Sequence, residues 1–176
     1  MNAKLGPIIG SIVFFGVAPG VVAGWVPYAL TGWRLEEPLL GLWGGRPLGG
    51  ILVAIGLAGL LDSFARFAIQ GQGTPAPVAP TKRLIESGLY RHVRNPMYVA
   101  VVSIILGQSL VLGSIVLFGY ATVVWLAFHI FVLVYEEPTL RHQFGESYRL
   151  YESQVRRWWP RLRPWRADAR AGPNAA

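Results

Sequence analysis

The chain has 176 residues, of which 53% are hydrophobic and 14% charged, and it carries a net charge of +7. A typical soluble domain has about 25% charged residues, so this composition excludes an ordinary soluble globule. The absence of cysteine, with three histidines that lack metal-ligand spacing, excludes disulfides, thiolate chemistry and a recognisable metal site.

The first apolar block covers residues 7–30 and contains no charged residue over 24 positions. A helix needs about 20 residues to cross the hydrocarbon core of a bilayer, so this block predicts a transmembrane helix. A signal sequence is the competing interpretation because Lys4 precedes the block. Signal cores usually run for only about 7–15 residues, so we expect a retained helix.

The second block, residues 48–70, contains Asp62 and Arg66, which are four positions apart and share one helix face. An isolated charge inside a membrane is costly. We therefore expect the two side chains to pair near the membrane edge, or to line a site inside the bundle. Two more apolar blocks, residues 97–112 and 114–135, are separated by a single glycine and predict a tight helical hairpin.

The charges of the connecting segments predict the orientation in the membrane. Four crossings would place the N-terminus, the 71–96 segment and the C-terminal tail on one side. That side carries 13 lysines and arginines, whereas the loop at 31–47 carries two. Basic residues accumulate on the cytoplasmic side, so both termini are expected to be cytoplasmic. Since no soluble module remains to bind nucleic acid, the basic charge indicates contact with the lipid bilayer.

The tail from residue 136 onward has a helical pattern of its own. Its apolar residues recur at helical spacing and form one face: Leu140, Phe144, Tyr148, Tyr151 and Val155. This pattern predicts an amphipathic helix that lies on the membrane surface or folds back over the cytoplasmic ends of the bundle. The predicted fold is therefore an all-α integral membrane protein. It has one domain over residues 1–176, with about four transmembrane helices and this amphipathic C-terminal helix.

Two short segments combine polar, aromatic and charged residues in a way that is typical of binding sites. In residues 87–98, Pro96 pushes Asn95 out of helical geometry and leaves backbone groups free to bind a ligand. The second segment is the pair Glu136 and Glu137 after the fourth block. Acids at the C-terminal end of a helix oppose its dipole, which indicates a functional use. The alternative is that the pair begins the next helix.

These segments resemble the isoprenylcysteine carboxyl methyltransferase and phospholipid methyltransferase superfamily, which comprises small membrane-embedded enzymes that use S-adenosylmethionine. The resemblance covers about residues 74–164. It rests on motifs that follow one another in the family's order: Gly88-Leu89-Tyr90, Arg94-Asn95-Pro96-Met97-Tyr98, Glu136-Glu137, a Phe144 to Tyr151 run and a basic end from Arg157 to Pro160. It implies a cofactor-binding region at about residues 81–98 and 136–160.

The resemblance also implies which residues bind S-adenosylmethionine. They are Lys82, Arg83, Leu84, Ile85, Tyr90, Asn95, Pro96, Met97, Tyr98 and Glu136. The stretch at 82–85 matches a short strand-like segment along the cofactor, and Glu136 matches a glutamate that holds the cofactor's amino-acid end. No catalytic residue is implied, because transfer of a methyl group from a sulfonium mainly requires alignment and exclusion of water.

Two positions depart from the family pattern. Asn95 replaces a histidine and cannot take up a proton near neutral pH, so we expect it to bind rather than to act as a base. Val132 replaces an arginine that meets the substrate in the prenylcysteine enzymes. We therefore expect an apolar or amphipathic acceptor other than a prenylcysteine carboxylate, reached from the bilayer. Three arginines are candidates to replace the missing cation: Arg66, Arg141 and Arg149.

Two other functions are compatible with the same pattern. The membrane sterol reductases share a similar C-terminal region and bind NADPH, but they are usually much longer and have more helices. A non-catalytic membrane protein with the same fold is the third possibility. Binding of S-adenosylmethionine, compared with binding of NADPH, separates the three functions.

Overall fold

The computed structural model describes residues 18–42, 44–70 and 84–165, without the side chains of Leu40 and residues 67–70. All regular structure within these residues is helical. The helices are α1 (Val26–Thr31), α2 (Gly45–Gln70), α3 (Pro96–Leu112), α4 (Ile115–Phe131) and α5 (Glu137–Gln154). A π-helical turn at Val21–Trp25 precedes α1, a second at Val132–Glu136 joins α4 to α5, and 3-10 turns form at Leu39–Gly41 and Gly88–Arg91.

Two helical stretches, Gly45–Arg66 and Ile115–Gln154, are long and apolar enough to cross a membrane. Helix α3 is also apolar but has only 17 residues. The predicted helices at 48–70, 97–112 and 114–135 therefore correspond to α2, to α3, and to α4 with the turn that follows it. The first predicted helix, 7–30, lies partly outside the described residues, so four crossings stay a prediction.

Helices α2 and α3 pack closely where both carry glycine. A Cβ atom added to Gly49 would lie 2.6 Å from the carbonyl oxygen of Gly107. A Cβ atom added to Gly107 would likewise lie 2.6 Å from the carbonyl oxygen of Gly49. Two turns further along the same interface, a Cβ atom on Gly56 would lie 2.8 Å from the carbonyl oxygen of Ala100. In a membrane, such small residues let backbones approach closely and gain dispersion contacts.

The predicted hairpin between α3 and α4 is present. Gly113 has a positive φ of 79°, and a Cβ atom there would collide with the carbonyl of Glu37. The loop before α2 thus packs against the hairpin, where the Glu36 amide donates to the Leu112 carbonyl oxygen over 2.8 Å. Buried apolar side chains from α2, α3 and α4, among them Phe64, Ile104 and Val124, form the core.

Helix α4 runs through the π-helical turn into α5 without losing helical backbone angles. The helix then breaks at Gly145, where φ is 53° and ψ is −125°. A straight helix would separate Arg141 from Glu152 by about 16 Å. Yet Nη2 of Arg141 lies 2.6 Å from Oε1 of Glu152, so the second half of α5 folds back on the first.

The folded-back half of α5 buries the apolar face that the sequence predicts. Tyr148, Tyr151 and Val155 are at most 2% exposed. They pack with partly buried side chains from three parts of the chain: Leu84, Leu140, Phe144 and Trp165. Of the two placements that the sequence allowed for this helix, packing against the rest of the chain is the one observed. It brings α5 over the segment that contains Tyr90.

Candidate functional site

The second π-helical turn presents Glu136 to α3. The hydroxyl of Tyr98 donates to Oε2 of Glu136 over 2.8 Å, and the Tyr98 ring stacks on Phe128 of α4 with centroids 4.5 Å apart. Glu136 is partly buried and makes no ion pair with any residue that the structure describes. Turns of this type are frequent at functional sites, and this one leaves a carboxylate available to a cation.

The neighbouring Glu137 has a different environment. It is 2% exposed, and its carboxylate accepts from Nε and Nη2 of Arg157 over 2.6 and 2.8 Å. Arg94 and Arg141 approach the same carboxylate to 3.0 and 3.3 Å. A buried carboxylate that is compensated in this way has a structural role. Glu137 therefore stabilises the fold, whereas Glu136 faces the candidate site.

The ion-pair network around Glu137 extends to Glu152 on the folded-back half of α5. Glu152 accepts from Arg141 at 2.6 and 2.9 Å and from Arg94 at 3.1 Å. The Arg141 guanidinium, followed by that of Arg94, holds the pKa of Glu152 below its usual range. This network fixes both halves of α5 to the loop that carries Arg94.

The C-terminal tail, residues 155–165, lies along the loop at residues 91–95. Three backbone bonds of 2.9–3.0 Å join them: Arg94 N–H to Arg156 C=O, Arg161 N–H to His92 C=O and Trp165 N–H to Arg91 C=O. In addition, the side-chain amide of Asn95 donates to the Arg157 carbonyl over 3.3 Å. Asn95 is buried and has non-helical backbone angles before Pro96, as predicted. The tail is therefore fixed along the loop that carries Asn95.

Tyr90 occupies the 3-10 turn and is 8% exposed. Its side chain hydrogen-bonds Ser63 of α2, and its carbonyl accepts the hydroxyl of Tyr151 over 2.7 Å. Helices α2 and α5 thus both contact this tyrosine.

The structure brings two of the predicted cofactor residues into contact and packs others into apolar clusters. Tyr98 and Glu136 are in direct contact. Met97 packs against the core, and Leu84 packs against the Tyr148 cluster. Ile85 is buried, and the described residues 84–86 have no regular secondary structure. Two predicted residues, Lys82 and Arg83, lie outside the described residues.

The three candidate substrate arginines differ in their contacts. Arg66 binds Asp62 through Nε and Nη2 at 2.8–3.0 Å, as the sequence pattern predicts. Arg141 binds two glutamates. Arg149 is exposed on α5, and Val132, which stands in place of the family's arginine, is fully buried.

Sequence reasoning missed the partners of Glu137. They come from Arg94 and Arg157, 43 and 20 positions away along the chain, so no local spacing indicates them. It also missed the contact between Trp158 and His129, in which the indole N–H donates to Nδ1 over 3.0 Å. The only sequence signal was the density of arginine and tryptophan in the tail.

Comparison with known proteins identifies the family of this chain. One relative, an uncharacterized protein of Haemophilus influenzae, is 36% identical in an alignment of 69 positions that covers 35% of this chain and 98% of the relative. No solved structure matches the chain. Residues 46–147, more than half of the chain, match the family described as phospholipid methyltransferase, which implies methyl transfer to lipid-type substrates. With its two apolar helices in a membrane enzyme family, this integral membrane protein belongs to the phospholipid methyltransferase family.

Proposed function

We propose that this chain transfers a methyl group from S-adenosylmethionine to an apolar or amphipathic lipid-type acceptor. The observation that carries the proposal is the Glu136 carboxylate, which is partly buried and contacts the neutral hydroxyl of Tyr98. A carboxylate removed from water is costly unless a cation or several hydrogen bonds offset the lost hydration. The amino group of the cofactor's methionine part is such a cation.

The residues around Glu136 fit this cofactor. The ring of Tyr98, which stacks on Phe128, carries the hydroxyl that contacts the carboxylate, and aromatic faces attract cations such as a sulfonium. Asn95 is buried just before Tyr98 in the chain, and Tyr90 is buried in the preceding 3-10 turn. We expect Tyr90, Asn95, Tyr98 and Glu136 to hold the cofactor. S-adenosylmethionine supplies the activated methyl group when it is bound.

The contribution of the protein to such a reaction is alignment and exclusion of water. In-line displacement is accelerated when both reactants are held in a fixed geometry. Their translational and rotational entropy is then lost on binding, and the binding energy offsets this loss before the chemical step. Here the Glu137 network and the tail fix the loop at 91–95 against α5. Bound groups would therefore meet side chains that need little reorganisation.

The proposed acceptor is not a prenylcysteine carboxylate. An anionic acceptor near Val132 would need a cation to offset its desolvation. Arg66 is already bound by Asp62, and Arg141 by Glu137 and Glu152, so neither cation is free of a carboxylate partner. Arg149 stays a candidate for an amphipathic acceptor with an anionic group.

Titration calorimetry on the detergent-solubilised protein tests the proposed cofactor. Glu136→Gln removes a charge-assisted hydrogen bond and should weaken binding of S-adenosylmethionine by about 1.5–3 kcal/mol, or roughly 10- to 150-fold. The matched control is Glu146→Gln on the exposed surface of α5, which should bind like the wild type. Binding of NADPH without binding of S-adenosylmethionine would contradict the proposal and favour a reductase.

A further inference from the structure

Helix α2 contacts the loop that carries Tyr90 through polar interactions of three of its residues. Oδ2 of Asp62 accepts from the Leu89 amide over 3.4 Å, and Nη1 of Arg66 lies 3.2 Å from the hydroxyl of Ser87. The side chain of Ser63, between them on the helix, hydrogen-bonds Tyr90. The contacts therefore cover residues 87–90, the segment that leads into the candidate cofactor site.

Both members of the ion pair between Asp62 and Arg66 contact this loop. Nε and Nη2 of Arg66 are bound by the carboxylate, which leaves Nη1 directed at Ser87. The loop lies directly on the guanidinium, because a Cβ atom added to Gly88 would collide with Arg66. A pair that only neutralised two charges within α2 would need none of these loop contacts. The side chains are 27% and 32% exposed, so the pair lies at the edge of the packed region.

We propose that Asp62 and Arg66 are positioning residues that hold the loop at 87–90, and through it Tyr90, in the conformation that binds the cofactor. This inference rests on the proposed function, since it assigns the loop to S-adenosylmethionine. It also gives Arg66 a role in cofactor binding in place of direct contact with the acceptor. The carboxylate orders the backbone of Leu89, and the guanidinium orders Ser87.

A charge swap separates positioning from simple charge neutralisation. The double variant Asp62→Arg with Arg66→Asp keeps opposite charges four residues apart on α2. It moves the carboxylate away from Leu89 and the guanidinium away from Ser87. We expect a melting temperature close to that of the wild type and about tenfold faster hydrogen exchange at the Leu89 amide. Binding of S-adenosylmethionine should weaken roughly five- to tenfold, as expected for lost hydrogen bonds to charged groups. Wild-type exchange and affinity in the swapped protein would overturn the inference.

A milder variant covers the case in which the swapped helix does not fold. Ser87→Ala removes the hydroxyl next to Arg66 and leaves no unpaired charge in α2. We expect about threefold weaker binding of S-adenosylmethionine and faster exchange at Leu89. The control is Ser153→Ala, an exposed serine on α5. Equal exchange and affinity in both serine variants would overturn the inference.

The two proposals fail in different ways. Hydrogen exchange is measured on the cofactor-free protein, so it reports on the loop even if the cofactor has been assigned wrongly. Absence of S-adenosylmethionine binding to the wild type would overturn the proposed function. Unchanged exchange at Leu89 in the swapped protein would overturn the positioning role alone.

Discussion

At the scale of single residues, Glu136 and Glu137 show how adjacent acids acquire different roles. The sequence pattern left two interpretations of the pair open, a functional use or the start of the next helix, and the family resemblance assigned cofactor binding to Glu136. The structure adds a cause for the division, because three arginines surround Glu137 while Tyr98 meets Glu136. These partners are distant in sequence, so only the fold reveals them. The role of Glu136 in binding stays a prediction.

Replacement of Glu137 should destabilise the protein. Glu137→Gln leaves Arg94 and Arg157 without their shared buried anion, and breaking a buried pair costs about 3–5 kcal/mol. The midpoint of thermal unfolding in detergent should fall well below that of the wild type. Glu146→Gln serves again as the exposed control. A Glu137→Gln protein that unfolds at the wild-type temperature would show that the network does not hold α5 in place.

At the scale of helices, the apolar blocks predicted α2, α3 and α4 to within a few residues, because a long run of apolar residues identifies a membrane helix. The hairpin at Gly113 was also predicted from the sequence. The break at Gly145 and the π-helical turn at Val132–Glu136 were not. The positive φ at Gly145 and the π-helical turn are properties of the folded backbone that the spacing of apolar residues does not indicate.

The close crossing of α2 and α3 gives a prediction at this scale. Gly107→Ala places a Cβ atom 2.6 Å from the Gly49 carbonyl oxygen, so the helices must separate. Overpacking of this kind costs about 1–3 kcal/mol. Gly119→Ala on α4 is the control, because its Cβ atom would have no neighbour within 4 Å. Unfolding in detergent should distinguish the two variants, and equal stability would contradict the observed crossing.

At the scale of the whole molecule, composition and hydropathy predicted an all-helical integral membrane protein. They did not predict that the tail would bond to the loop at 91–95, because backbone bonds such as Arg161 to His92 join segments about 70 residues apart. Trp165 at the end of this tail packs against the buried Tyr151, so the C-terminal region is part of the folded structure.

The topology is a further prediction for the whole molecule. The excess of basic residues, 13 against two, predicts that both ends face the cytoplasm. Reporter fusions after Gly44 and after Ala176 should therefore report opposite sides of the membrane. The same side for both fusions would rule out four crossings with cytoplasmic ends.

Methyl transfer itself tests the central claim most directly. Purified protein is incubated with methyl-labelled S-adenosylmethionine and a membrane lipid extract, and labelled lipid is measured at low cofactor concentration. The wild type and Glu146→Gln should label lipid at similar rates, while Glu136→Gln should be slower by about 10- to 150-fold, in proportion to its lost cofactor affinity. Two results would contradict the claim. One is equal rates of lipid labelling by the wild type and by Glu136→Gln, and the other is no labelled lipid with the wild type.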